Sequence, residues 1–384
     1  MAEFRVPPLV LTGFGCAREL GAVLQGRGYR RAFLVSDPQV LALPAAQAVV
    51  THLRQAGLNV AVHDGVTAEP TVAMVERALA DLVQAGADVV IGLGGGSPMD
   101  TAKAVAVLAC QPGPITRYEG TERIPGERLP LACVATTAGT GSEVTRYAAI
   151  TDQDRHRKML ISSWRLLPDI AVADPELTIG LPPQPTVSTG IDALTHAIEA
   201  YVSRRAQPLT DPLALSAIRR IGRALPVAYR QPADRAARVE MSVAALEAGI
   251  AFCNASVALV HGMARPLGAY FGVPHGLANA VMLARVCAYS AAAAPERYRD
   301  VALALGQPVA DASPADGAAA AVRAIDDLCA GLDVPSLRRL GVTRQALEAV
   351  VEQMAEDAIA SGSPAHNPRP ATAEEIAALY RACF

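Results

Sequence analysis

The sequence predicts a two-domain protein, an α/β half built on a parallel sheet followed by an all-helical half. Three observations carry this. Short β-branched apolar runs alternate with helical stretches as far as Ala173, as parallel strands covered on both faces require. From about Leu181 onward strand signals vanish and apolar positions recur at helical spacing. The 384 residues exceed what one core organises, and 51% hydrophobic against 18% charged residues excludes a disordered chain. The boundary is expected near Gly180-Leu181-Pro182-Pro183, giving domains 1–180 and 181–384.

In the first half, AFLVSD at Ala32–Asp37 reads as a buried strand ending in an acid. A helix over Ala45–Ala56 precedes a strand at Asn59–His63. Thr71–Ala85 is helical, with Val72, Val75, Leu79 and Leu82 on one stripe, and Asp88–Leu93 is the next strand. That strand runs into Gly94-Gly95-Gly96-Ser97-Pro98-Met99-Asp100. Ser97 suits an N-cap and Pro98 a first helical position, so a helix starting there aims free N–H groups at an anion. The pyrophosphate of a dinucleotide fits, although the motif is neither GxGxxG nor a Walker loop and a turn without ligand has the same residues. Asp37, at the end of its strand, suits a ribose 2′-hydroxyl and repels a 2′-phosphate, which favours NAD over NADP; it is also an ordinary turn residue before Pro38. A fourth strand, Leu131–Ala135, leads to the hydroxyl-rich loop Thr136-Thr137-Ala138-Gly139-Thr140-Gly141-Ser142. Ala148–Asp152 and Lys158–Ser162 form a hairpin with Lys158 able to reach a phosphate, and Ile170–Ala173 is the last strand.

The second half reads as helices at Thr186–Arg204, Asp211–Tyr229, Ala233–Asn254, His275–Tyr289, Pro295–Leu305, Ser313–Gly331, Thr343–Ser361 and Thr372–Cys383. In the first of these, Asp192 and His196 stand one turn apart, with Glu199 a further turn on. Ile191, Leu194, Ile198 and Val202 fall on the other side, so the helix is expected to be amphipathic. An Asp and a His on one face can grip a divalent cation, though such a pair alone is ordinarily just solvated. His261 and His275 follow, each in a Gly-rich apolar setting, and the four together are the candidate metal site. A ligand is expected in the cleft between the two domains.

Net charge is −3 and the basic clusters, Arg155–Lys158 and Arg219–Arg223, are short and far apart, so no nucleic-acid partner is expected. The second cluster reads as a solvated helix face. Seven scattered cysteines without CxxC spacing fit reduced thiols in the cytoplasm. The N-terminus shows no signal-peptide pattern, and the uncharged run Pro266–Ala284 is broken by glycines and prolines, a buried site and not a membrane span.

GGGSPMDTAK, TTAGTGSEVT, GIDALTHAIEAY, HGMARPLGA and GVPHGLANAVML, in this order and spacing, resemble the signatures of the iron-containing (group III) alcohol dehydrogenases. The resemblance runs over nearly the whole chain and implies a Rossmann-like N-terminal domain plus an all-α C-terminal domain, the dehydroquinate synthase-like arrangement. It implies metal ligands Asp192, His196, His261 and His275. It implies cofactor contacts at Asp37, Gly95, Gly96, Ser97, Asp100, Thr136, Thr137, Thr140 and Lys158, with Phe252 lining the substrate pocket. NAD and Fe(II) are the implied cofactors, with Zn, Ni or Co also suited to such a donor set. The implied reaction passes hydride between an alcohol carbon and nicotinamide, and a homodimer or larger homo-oligomer is implied.

Two positions depart from the family. Arg265 stands where many members have a second histidine, which puts a proton relay there in doubt, because arginine does not deprotonate; its guanidinium could instead hold an anionic group on the substrate. Ala68-Glu69-Pro70 replaces Pro-Asn-Pro, so no cofactor contact is expected from it. The rivals are a maleylacetate-reductase-like NAD(P)H enzyme, against which the complete ligand set argues, a glycerol-dehydrogenase-like or dehydroquinate-synthase-like protein, and a non-catalytic NAD-binding protein.

Overall fold

The computed structural model describes residues 3–155 and 157–384; Met1 and Ala2 of the N-terminal stretch and His156 of the basic cluster lie outside them. The chain divides into two units, Arg5–Ile179 and Gly180–Phe384, the latter joined by Glu3 and Phe4.

The first unit runs β1 (Leu9–Thr12), α1 (Leu20–Gly26), β2 (Arg31–Val35), α2 (Pro38–Leu41), α3 (Pro44–Gln55), β3 (Asn59–His63), α4 (Val72–Ala85), β4 (Val89–Gly94) and α5 (Gly96–Leu108). It continues through β5 (Gly120–Thr121), β6 (Leu131–Ala135), β7 (Tyr147–Asp152), β8 (Arg157–Ser162) and β9 (Ile170–Ala173). Among the described residues, six strands form a sheet in the order β1-β9-β6-β4-β2-β3, every neighbour parallel. Alternate side chains of each strand enter different cores. Phe33 and Val35 of β2, Val90 of β4 and Cys133 of β6 pack with α4 and α5. Ala32, Leu34, Ile91, Leu93 and Val134 pack with α1 and α3. Helices thus cover both faces, which is why these strands are apolar throughout and not alternating. β5, β8 and β7 form a small second sheet, with β7 and β8 the expected antiparallel hairpin.

Three elements of this unit differ from expectation. β1 and α1 had no readable signal, because four residues between Pro7-Pro8 and Gly13 are too few for a period. And α5 begins at Gly96 with Gly95 as N-cap, so Ser97 and Pro98 lie within its first turn. Pro98 is tolerated there because the first four helical N–H groups have no intrahelical partner anyway.

The second unit consists of α6 (Pro183–Val202), α7 (Asp211–Arg230), α8 (Arg235–Ala255), α9 (Leu259–Phe271), α10 (His275–Ala291), α11 (Pro295–Ala304), α12 (Pro314–Gly331), α13 (Arg344–Ala360) and α14 (Ala373–Ala382). α6 packs against α7, α8 and α10, and every residue from Gly190 to Val202 is buried. The helix is not amphipathic as expected: from Gly190 onward, packed by three other helices, it has no solvent face, so its polar residues there serve the interior. α9 has no counterpart among the expected helices, and Gly262, Pro266 and Gly268 lie within it. Its burial supplies what propensity lacks. Of the basic cluster on α7, Arg219 and Arg223 are exposed as expected, whereas Arg220 ties α7 to Glu240 and Glu247 of α8 at 2.6 and 3.3 Å. Among the described residues no single helix is long and apolar enough to cross a membrane.

α10 approaches α6 backbone to backbone at Gly276, where a Cβ would lie 2.2 Å from the Ser188 carbonyl oxygen. Neither backbone can retreat without moving a helix. Gly276→Ala is therefore expected to destabilise the protein by about 1–3 kcal/mol, read as a lowered urea midpoint at unchanged slope.

Candidate functional site

Three helices of the second unit bring charged groups together. Asp192, His196 and Glu199 come from α6, His261 from the first turn of α9, and His275 opens α10. The close contact at Gly276 sets the start of α10 against α6 and so brings His275 toward Asp192. His261 Nε2 lies 3.6 Å and His275 Nε2 3.9 Å from Asp192 Oδ1. These three residues each present one ligating atom, and all three atoms lie within 4.8 Å of one another. A carboxylate and imidazoles at this spacing are the donor set that divalent first-row metals take, so the residues present fit such an ion. His196, the fourth expected ligand, is not in that set. Its ring stacks on His261 at 4.5 Å and on Phe252 at 4.1 Å between centroids.

The electrostatics follow from burial. Asp192 is 3% exposed. Burial alone would raise its pKa, but His196, His261 and His275 outweigh it and hold the carboxyl well below the usual carboxylate range. Burial would likewise lower the pKa of His261, but the Glu199 and Asp192 carboxylates raise it.

Glu199 is a residue whose role sequence reading missed, although its place one turn beyond His196 was visible. Its buried carboxylate accepts from the backbone N–H groups of Ala258 (2.9 Å) and Val260 (2.6 Å) and meets His261 Nδ1 at 2.6 Å. It therefore fixes both the entry to α9 and the orientation of the His261 ring, with Nδ1 toward Glu199 and Nε2 toward Asp192. Phe252 is buried on α8. Arg265 lies one turn after His261 on α9 and is half-buried.

The remaining expected residues lie in the first unit. Strand order reverses between β2 and β4, which are hydrogen-bonded neighbours, and ligands of open parallel sheets bind at the carboxyl ends of strands flanking such a reversal. Asp37 follows β2; its Oδ1 accepts from Val40 N–H at 2.8 Å and caps α2. Gly94 ends β4 at φ +153°, and a Cβ there would sit 2.6 Å from Pro98 Cγ, so only glycine lets the strand turn into α5. β4 and β6 end level, Gly94 opposite Ala135, and Thr136 N–H donates to the Gly94 carbonyl at 3.0 Å. Gly95 lies against Thr137, and Gly96 against Thr140. Thr137 Oγ1 is buried and has no partner among the described residues; a hydroxyl so placed beside a glycine loop suits a ligand phosphate or ribose.

Asp100 and Lys158 are engaged within the protein. Asp100 accepts from Ser142 Oγ at 2.7 Å and from Ala149 N–H at 2.9 Å, which ties the two loops to each other. Lys103, completely buried, donates to Ser142 Oγ, Thr145 Oγ1 and the Tyr147 carbonyl. Lys158 pairs with Glu69 at 2.8 Å, the residue standing in the family's asparagine position. Ser97 offers its carbonyl to Thr101 Oγ1 at 2.9 Å.

Comparison with known proteins adds two family matches. Residues 7–175 match "Iron-containing alcohol dehydrogenase", and residues 186–384 match "Fe-containing alcohol dehydrogenase family, C-terminal". The chain is 39% identical to 1,3-propanediol dehydrogenase of Klebsiella pneumoniae, covering 100% of this chain and 99% of that protein. It is 35% identical to NAD-dependent methanol dehydrogenase of Bacillus methanolicus, covering 99% of each. The crystal structure of a 1,3-propanediol oxidoreductase superposes with a TM-score of 0.97 at 39% identity, covering 100% of both chains.

Glu143, in the loop after β6, is 2% exposed, and burial raises its pKa from 4.5 to about 7 against the opposing pull of Lys103. A carboxyl raised on folding stabilises the protein fully below its unfolded pKa and loses that contribution as pH rises through its folded pKa. Glu143→Gln removes the titration. Its stability relative to the wild type is therefore expected to rise by on the order of 3 kcal/mol between pH 4.5 and 8, measured by urea unfolding; a constant difference would contradict the assignment.

Proposed function

Because the chain belongs to the iron-containing alcohol dehydrogenase family, we propose that it is an NAD-dependent, Fe(II)-dependent enzyme interconverting an alcohol and its aldehyde. The family's chemistry is oxidoreduction at a CH–OH group with a nicotinamide dinucleotide and a divalent metal. The observation that carries the reading is the convergence of Asp192, His261 and His275 in the helical unit. A bound divalent cation eases loss of the hydroxyl proton, and a bound nicotinamide accepts the hydride.

The protein's own residues have separable tasks in this reading. Asp192, His261 and His275 hold the metal, and His196, stacked on His261, completes the set. Phe252, stacked on His196, gives the substrate an apolar wall. Residues 1–180 form the nucleotide domain and 181–384 the metal and substrate domain. Asp37 accepts from the ribose 2′-hydroxyl, which selects NAD. Gly95, Gly96, Ser97, Thr136, Thr137 and Thr140 receive the pyrophosphate and ribose, supported by the Thr137 hydroxyl, which has no partner among the described residues. Asp100 acts by tying those loops together, and Lys158 reaches a phosphate only by leaving Glu69. Arginine at 265 holds its proton, so the alcohol proton leaves through water or ribose hydroxyls. Seven free cysteines support a reducing compartment, the cytoplasm, and the family resemblance supports a homodimer or larger homo-oligomer.

Purified protein incubated with Fe(II) is expected to reduce NAD with a panel of small alcohols, and chelation to abolish the signal. Asp192→Ala and His275→Ala are each expected to lower turnover more than about a hundredfold. Undiminished rates in chelator would overturn the metal reading. Arg265→Ala separates two substrate classes. If the guanidinium holds an anionic group, turnover of acidic aldehydes falls about tenfold or more while that of neutral aldehydes is spared; equal loss on both rules out that role.

A further inference from the structure

Asn279 lies one turn after His275 on α10 and is completely buried. Its Nδ2 stands 2.7 Å from Asp192 Oδ1, 3.2 Å from His261 Nε2 and 3.4 Å from His275 Nε2. One amide nitrogen thus faces the same three atoms that converge as a ligating set. The carboxylate oxygen of Asp192 accepts, so the amide presents its N–H there. Turned over, the amide would set its carbonyl oxygen against a carboxylate oxygen. Asn279 Oδ1, meanwhile, is buried with no partner among the described residues. A buried acceptor left unpaired is costly, so the side chain is held by what its nitrogen does.

We propose that Asn279 is a positioning residue of the metal centre, holding the Asp192 carboxylate in the orientation at which Oδ1 and the two Nε2 atoms share one cation. The inference rests on the reading that these residues bind a divalent metal. An amide suits the task because it donates hydrogen without carrying charge. A lysine there would repel the cation, and an aspartate would repel Asp192. Hydrogen bonds of this kind to metal-binding side chains typically govern metal affinity by 10- to 100-fold.

Co(II) is the probe, since its visible absorption reports ligand geometry and its affinity can be measured by chelator competition without turnover. Asn279→Leu keeps the volume and removes the donor; Asn279→Ser keeps a shorter O–H donor. The expected order of Co(II) affinity is wild type, Asn279→Ser, Asn279→Leu, with Asn279→Leu weakened roughly 10- to 100-fold and its visible spectrum altered. If Asn279→Leu does not fold, Asn279→Ser decides by the same two readouts. A folded variant that melts earlier yet binds Co(II) with wild-type affinity and spectrum overturns the proposal, because that is what a packing role alone would give. Wild-type protein that binds no Co(II), or His275→Ala that binds it as the wild type does, overturns the metal reading itself.

Discussion

An ionised carboxylate at the centre of a helical bundle is tolerated only where other groups replace the water it has lost. Asp192, 3% exposed on a helix buried on every side, is that carboxylate here. Three imidazoles and one amide N–H surround it, and none of them comes from its own turn of helix. His261 arrives on α9, and His275 and Asn279 on α10. The whole arrangement of α6, α9 and α10 answers to this requirement. Gly276 lets two backbones touch, and Glu199 uses both carboxylate oxygens to fix the start of α9 and the His261 ring.

The first unit solves a related problem with a cation. Lys103 is completely buried on α5, and its ammonium is satisfied by two hydroxyls and a carbonyl from the segment after β6, with Asp100 at 3.8 Å. Asp100 in turn reaches Ser142 and the β7 backbone. The effect is to lock the glycine-rich start of α5 to the threonine-rich loop after β6. A nucleotide site needs donors whose positions are fixed before the ligand arrives, since ordering them on binding would subtract from affinity. Asp100, which the motif suggests as a ligand contact, ties the start of α5 to the loop after β6 and to β7.

The two units carry different parts of the proposed chemistry. One presents a parallel sheet whose carboxyl edge carries Asp37, the glycine loop and the threonine loop. The other presents a metal-binding set in an apolar surround with Phe252 stacked beside it. Arg265 adds a fixed positive charge one turn from His261 on α9.

Much of this was legible in the residues. Continuous apolar runs and period-3.6 patterns placed most strands and helices within one or two positions, because burial on one or both faces selects residues directly. The glycine and threonine loops, and Asp192, His196, His261 and His275 as members of one motif set, were visible for the same local reason: turns, caps and family signatures are written in contiguous residues. What only the tertiary structure decided is which side chains meet. Pattern could not show that α9 forms despite Gly262, Pro266 and Gly268, since its stability comes from packing and not propensity. Nor could it show that Glu199 orients His261 across 62 residues of chain, that Asn279 faces Asp192 across 87, or that Glu69 claims Lys158 across 89. Hydrogen bonds and ion pairs act over a few ångströms of space, and only the folded path of the chain fixes which residues stand that close.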